Sequence, residues 1–272
     1  MRRACESPVF RSATGFTLAA VAMAAACSRH SAPGSSEPLH VAAASDLSAA
    51  FEELGASYEK ATGRRVVFSF GATGLLERQI VEGAPFDVFV AADVSFVDDA
   101  IKAGACLASS KQLYAVGKLA IVTAPGDRSG LRTIADLVAP TITRVAIANP
   151  EHAPYGRAAR EALQRAGVWG AVRPKLVFGE NVHQALEFAD SGNADAAIVA
   201  LSLATGRLQG VIPVPDELHD PIEQALVVCA RGAAAQRAAE TFCAHVTSPA
   251  GRALLRRYGF SSADASRSTS TR

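Results

Sequence analysis

The chain has 272 residues, enough for one or two domains. Hydrophobic residues make up 49% and charged residues 19%, a composition that supplies a full apolar core and excludes a disordered chain. The formal net charge is only +1, so the sequence lacks the basic excess of a nucleic-acid-binding protein and we expect no nucleic-acid partner.

The N-terminus has the pattern of an export signal. Arginines at positions 2, 3 and 11 precede an apolar run at 16–26, which is too short to span a bilayer but suits a signal peptide. Small residues lead to Cys27, as at the junction where a bacterial lipoprotein is cleaved and lipidated. Ala24 stands where a bulky aliphatic residue is usual, so simple cleavage nearby is an alternative, and a buried helix of the folded domain is another.

We therefore predict a signal peptide over residues 1–27, with lipidation at Cys27, and a linker rich in Ser, Gly and Pro over 28–37. No later apolar run reaches the length of a membrane span. The expected location is the periplasm or another extracytoplasmic space, with the lipid at Cys27 as a possible anchor to the membrane.

Strands and helices alternate through the first half of the chain. Ser45 is a good N-cap for the first helix, which carries its apolar residues on one face. The predicted strands are 39–44, 65–70 and 86–91, and the helices that follow them are 47–62, 75–82 and 95–103. Repeated strand–helix units with short loops predict an α/β fold with parallel strands and crossover helices.

A second α/β set begins with a strand at 118–124, and no internal sequence repeat relates it to the first. It continues with helices at 133–138, 155–166 and 182–191, and with strands at 144–148, 176–178 and 196–201. A loop at 216–222 leads to a returning strand, 224–230, and to helices at 234–245 and 249–258. The polar segment 261–272 is predicted to be a disordered tail.

The cysteines give an open prediction. The sequence has five, and removal of the signal peptide with lipidation of Cys27 leaves Cys106, Cys229 and Cys243. An odd number permits at most one bridge. Cys229 and Cys243 could pair, although buried free cysteines are the favoured interpretation. No spacing of Cys or His suggests a metal site.

Helix starts, rather than catalytic motifs, recur in the sequence. The chain has no phosphate-binding glycine loop, nucleophile elbow or zinc motif, and we expect no enzymatic activity. Instead, Ser45, Thr73 and the turns at 154–156 and 179–182 each lie at the start of a helix that follows a strand. Unpaired N–H groups at such starts, with hydroxyls beside them, can hold an oxyanion without Lys or Arg.

Six segments give the chain a family resemblance. They are residues 42–46, 69–74, 83–89, 149–156, 175–181 and 257–260. In this order they resemble the periplasmic molybdate-binding proteins of bacterial ABC transporters. The resemblance covers about 39–260 and implies a type II periplasmic-binding fold of two lobes, each a mixed, mostly parallel sheet flanked by helices. The first lobe would comprise 38–117 and 225–260, and the second 118–224.

The resemblance also implies a function and a site. The protein would be a monomer without a cofactor that captures molybdate, and also tungstate, and delivers it to an ABC permease. The contact positions fall on Ser45, Thr73, Tyr155 and Val182, the last through its backbone N–H. Many members carry a tyrosine where this chain has Ala200, and Tyr155 is a replacement for that contact.

Asp46 departs from the family pattern, because a carboxylate beside a bound dianion is unfavourable. We expect it to turn outward and cap its own helix. In the alternative it faces inward and tunes selectivity towards protonated, phosphate-like anions. Three further alternatives stay open: Ser45 and Thr73 as simple N-caps, sulfate or phosphate as the ligand, and an enzyme or sensor on the same fold.

Overall fold

The computed structural model describes residues 37–127, 129–207 and 209–263. The predicted signal peptide, Cys27 and residues 28–36 of the predicted linker lie outside this part of the chain, as do residues 264–272 of the predicted tail. Among the described residues, no helix is long and apolar enough to cross a membrane.

The strands form two separate sheets. In chain order the described strands are β1 (Leu39–Ala44), β2 (Val66–Gly71), β3 (Val88–Ala91), β4 (Gln112–Gly117), β5 (Leu119–Thr123), β6 (Val145–Ala148), β7 (Leu176–Gly179), β8 (Ala196–Ala200), β9 (Val211–Pro213) and β10 (Ile222–Val228). The first sheet has the order β2-β1-β3-β10-β4 and the second the order β7-β6-β8-β5-β9.

Helices connect the strands and cover the sheets. The described helices are α1 (Ser48–Thr62), α2 (Thr73–Val81), α3 (Val94–Lys102), α4 (Pro154–Arg165), α5 (Trp169–Val172), α6 (Val182–Asp190), α7 (Leu201–Ala204), α8 (Ala233–Thr247) and α9 (Pro249–Arg257). Each sheet with its helices forms a lobe, called here the first lobe and the second lobe. The predicted α/β fold with two lobes is confirmed.

Each sheet is mixed in the same way. In the first, β1 is parallel to β2 and β3, and β10 is antiparallel to β3 and β4. In the second, β6 is parallel to β7 and β8, and β5 is antiparallel to β8 and β9. Because the three parallel strands end at one edge of each sheet, the helix starts that follow them gather at that edge.

The chain crosses between the sheets twice. Lys118 alone separates β4 from β5, and the return lies between β9 and β10. Ile222 pairs with Gly117 in the first sheet, and Glu223 and Gln224 follow in the same ladder. The returning strand β10 therefore begins at Ile222, two residues before the predicted strand at 224–230 and within the predicted loop at 216–222.

Several predicted elements need correction. Residues 45–47 form a short 3-10 helix, and α1 begins at Ser48 without a side-chain cap, so Ser45 does not cap it. The sequence prediction lacked β4, β9 and α5 and extended β8 into α7.

The helix predicted at 133–138 is a 3-10 helix, Ile134–Val138, with a capping box at its start. Ser261, assigned to the disordered tail, pairs with Val116 through two backbone hydrogen bonds of 2.9 and 3.0 Å.

The cysteine prediction is also corrected. Cys106 and Cys229 form a disulfide, whereas Cys243 is a buried free thiol. Cys229 lies with Cys106 in one apolar cluster, and Cys243 on α8 lies in another. Cys243 and Cys229 therefore lie in different apolar clusters and do not pair. Of the cysteine predictions, only that of a buried free cysteine at 243 is confirmed.

Candidate binding site in the cleft between the lobes

Four helix starts meet at one cavity between the lobes. Ser45 directly follows β1 and Thr73 opens α2, both in the first lobe. Tyr155 is the second residue of α4 and Val182 the first of α6, both in the second lobe. All four line one small space, together with Asp46, Ala44, Gly71, Ala72, Ala92, Ala153 and Pro154. The structure thus brings the four predicted contact residues together.

Backbone N–H groups provide the positive potential of the cavity. In the described part of the chain, the N–H groups of Thr73, Tyr155 and Val182 meet no acceptor. Asn181 caps α6 by accepting from the N–H groups of His183 and Gln184, at 3.0 and 3.1 Å. The cap therefore leaves the Val182 N–H free for a ligand, as expected at the start of a helix.

The Thr73 hydroxyl is oriented as a donor. Its Oγ1 accepts a hydrogen bond from the Ala92 N–H at 3.3 Å, and its side chain is 1% exposed. Ala72, not Thr73, occupies the N-cap position of α2. The interpretation of Thr73 as a simple cap is therefore wrong, and its hydroxyl hydrogen remains available to a group in the cavity.

Asp46 lines the same cavity and is buried, with 2% of its surface exposed. Its Oδ2 accepts from Gln224 Nε2 at 2.6 Å, and its backbone oxygen accepts from Ser202 Oγ at 2.7 Å. The expected outward orientation is wrong. Residues 45–47 form a 3-10 helix, and the carboxyl lies in the cavity between the two lobes. Desolvation by burial raises the pKa of Asp46 to about 6, against the lowering effect of the Gln224 hydrogen bond.

Gln224 is a site residue that the sequence did not reveal. It is fully buried at a shift in the register of β10. Its Nε2 donates to Asp46 and to the Tyr155 hydroxyl, the latter at 3.0 Å, and its Oε1 accepts from the Tyr114 hydroxyl at 2.5 Å. The Tyr155 hydroxyl in turn forms a hydrogen bond with Asp46, which lowers the pKa of that carboxyl against the larger effect of burial. A lone glutamine beside an apolar run carries no signal of this role.

The lobes touch directly around the cavity. The Gly74 N–H donates to the His152 carbonyl oxygen at 2.9 Å. Arg157 on α4 pairs with Asp93 at 2.5 Å and lies 5.0 Å from the centre of the Phe96 ring. The structure is therefore a closed arrangement of the cleft. Asp93 thus forms an ion pair between the lobes, whereas Asp87 accepts from the His40 N–H within the first lobe.

Two glycines permit this closeness. A Cβ at Gly117 would lie 2.1 Å from the Tyr155 hydroxyl oxygen, and one at Gly74 would lie 3.0 Å from the His152 carbonyl oxygen. The Nε2 atom of His152 forms a hydrogen bond of 2.9 Å with the Glu180 carbonyl oxygen within the second lobe. Ala200 is fully buried, and Tyr155 is the tyrosine that lines the cavity.

The fold and the site together define a class of protein. Two α/β lobes joined by two crossings close over a small cavity, and the lining residues include neither Lys nor Arg. Free N–H groups and hydroxyls converge there from both lobes. This is the architecture of a two-lobed binding protein for a small solute.

Comparison with known proteins gives the family. Residues 39–261 match the model for bacterial extracellular solute-binding proteins, and the chain belongs to that family. It is 36% identical to the molybdate-binding protein ModA of Rhodobacter capsulatus, over 84% of this chain and 90% of the relative. It is 37% identical to the protein of the same name from Azotobacter vinelandii, over 82% and 89%.

A solved structure agrees with these sequence relatives. The periplasmic molybdate-binding protein of Azotobacter vinelandii superposes with a TM-score of 0.74 and 31% sequence identity. The match covers 82% of this chain and 98% of that one. The resemblance inferred from the six sequence segments is thereby confirmed.

Proposed function

We propose that this chain captures molybdate in the cleft between its lobes and delivers it to an ABC permease. The observation that carries the proposal is the convergence of free N–H groups and donor hydroxyls on one buried cavity without a cation. Its two relatives at 36% and 37% identity are named for molybdate binding. Tungstate, which has the same charge and shape, is a second ligand.

The proposed contacts divide between side chains and backbone. Ser45 and Thr73 donate through their hydroxyls, and Tyr155 and Val182 donate through their backbone N–H groups. A fully deprotonated tetrahedral anion needs only donors, so this set suits it. The cavity is small and closed over by both lobes, so it suits one small anion rather than a larger solute.

Location and partner follow from the family. An extracellular solute-binding protein works outside the cytoplasm, where cleavage before Cys27 and lipidation would tether it near the permease. The chain acts as a monomer and needs neither a cofactor nor a catalytic group, since binding and release are its whole task.

Calorimetry with an anion panel tests the proposal. Molybdate and tungstate should bind with one site per chain, and sulfate and phosphate far more weakly. At a free concentration about 100 times Kd, molybdate should add about 2.7 kcal/mol to the free energy of unfolding. Tighter binding of sulfate or phosphate, or no stabilisation by molybdate, would contradict the proposed ligand.

A further inference from the structure

Asp46 is a carboxyl group inside a site that attracts anions. It lines the cavity with Ser45, Thr73, Tyr155 and Val182, and its Oδ2 is occupied by Gln224. Its Oδ1 is buried and has no hydrogen-bond partner among the described residues. An ionised carboxylate left in this way is costly by itself, and more so beside a bound dianion.

A proton on Oδ1 removes both difficulties. The neutral carboxyl would keep its Oδ2 acceptor for Gln224 and gain an O–H donor for the anion. We propose, on the basis of the proposed molybdate function, that the oxyanion binds together with one proton from solvent, held on Oδ1 of Asp46. Asp46 is then a donor to the anion rather than an acceptor, and affinity depends on pH.

Asp46 and Tyr155 are the ionisable residues in the lining of the cavity. Tyr114 on β4 and Tyr155 on α4 are fully buried, and burial, followed by the charge of Asp46, raises the pKa of each well above its ordinary value. Gln224 on β10 and Ser202 on α7 are neutral. The ionisable groups of α1 and α6 nearest the cleft, Glu52, His183 and Glu187, line a neighbouring groove with Ser45 and not the cavity.

The direction of the pH effect follows from linkage. Burial already holds the pKa of Asp46 near 6 without a ligand, and a neighbouring dianion raises it further. Binding therefore takes up a proton, and affinity falls as pH rises. The slope approaches tenfold for each pH unit, from about pH 6 upward, until the pKa of the complex is reached.

Replacement of the acid by its amide separates this proposal from a structural role. The Asp46→Asn side chain keeps an oxygen for Gln224 and presents N–H donors where Oδ1 lies, so it imitates the protonated acid at every pH. Asp93→Asn is the matched control, since Asp93 is also a carboxylate at the contact between the lobes. Asp93→Asn can weaken molybdate binding, but the change of affinity with pH should be the same as in wild type.

The experiment is molybdate titration calorimetry between about pH 6 and about pH 8.5, in buffers of different ionisation enthalpy, which counts protons. Wild type and Asp93→Asn should lose about tenfold in affinity per pH unit and take up about one proton. Asp46→Asn should show a flat profile, no proton uptake and tighter binding than wild type at the highest pH.

The outcomes are distinct. Molybdate binding by wild type with a flat profile and no proton uptake overturns this inference and leaves the proposed function intact. A slope retained by Asp46→Asn also overturns it, since the proton would then lie elsewhere. No binding of molybdate by wild type at any pH overturns the proposed function, and this inference with it. Circular dichroism of each variant establishes that it is folded.

Discussion

The two lobes share one plan and differ in what they bring to the cleft. In each sheet, three parallel strands lie beside an antiparallel strand and an edge strand, so that β1, β2, β3, β10 and β4 correspond to β6, β7, β8, β5 and β9. The helix starts of the site occupy corresponding places, after β1 and β2 in one lobe and after β6 and β7 in the other. The same plan arises although the sequence shows no internal repeat.

The chemistry at these places is unequal. The first lobe presents two small hydroxyl side chains and a carboxyl group, whereas the second presents a backbone N–H at Val182 and a long tyrosine. The first lobe also holds the disulfide between Cys106 and Cys229. A shared sheet order thus places donors at fixed points, and the residue at each point decides whether a side chain or the backbone is used.

Removal of the disulfide gives the largest expected effect and tests whether the first lobe depends on covalent support. Cys106→Ala with Cys229→Ala should lower the free energy of unfolding by about 2–5 kcal/mol, because the bridge closes a long loop of the unfolded chain. The two cysteines are 123 residues apart. Urea unfolding followed by circular dichroism measures the loss.

Reductant provides the control. It should destabilise wild type by a similar amount and leave the double variant unchanged. An unaltered unfolding midpoint in the double variant would mean that the packing of the first lobe suffices without the bridge.

The unequal use of side chain and backbone can be tested with a pair of variants. Thr73→Val keeps the shape of the side chain and removes a donor, so molybdate binding should weaken by about 1–3 kcal/mol. Val182→Ala keeps the N–H and removes core packing, so it should lower stability by about 1–2 kcal/mol and change affinity little. Calorimetry and urea unfolding measure the two quantities.

Thr73→Ser, which retains the hydroxyl, is the control for the first variant and should bind nearly as well as wild type. The use of a side chain in the first lobe and of the backbone in the second is contradicted if Val182→Ala loses as much affinity as Thr73→Val. Normal binding of molybdate by Thr73→Val would also contradict it.

The smallest expected effect concerns the ion pair that joins the lobes. Arg157→Gln removes the contact with Asp93 and with the Phe96 ring, but these groups are partly exposed. The loss should be about 0.5–1 kcal/mol, seen as roughly two- to fivefold weaker molybdate binding. Arg160→Gln is the matched control, because its pair with Glu151 lies within the second lobe at 4.0 Å. Equal effects of both would show that Arg157 does not favour closure.

The sequence predicted most of the strands and helices, because apolar periodicity is a local property. Thr73 and Val182 were found from the turns that precede them. Gln224 was not, because its role depends on the register of β10 and on a tyrosine about 70 residues away. Asp46 was placed outward because a carboxylate normally favours a helix start, and only the packing of the second lobe against residues 45–47 reverses that preference.

The absence of a side chain at Gly117 determines how closely the two lobes can approach each other. Its missing Cβ is the space that the Tyr155 hydroxyl fills, within 2.1 Å of where a methyl group would stand. One added carbon would collide with the Tyr155 hydroxyl and hold the second lobe away from the first. Gly117 is also the residue directly before the chain crosses from the first lobe to the second. Closure of the two lobes therefore depends on the absence of a side chain at residue 117. A single methyl group there would favour the open arrangement of the lobes without altering any residue that donates to the anion.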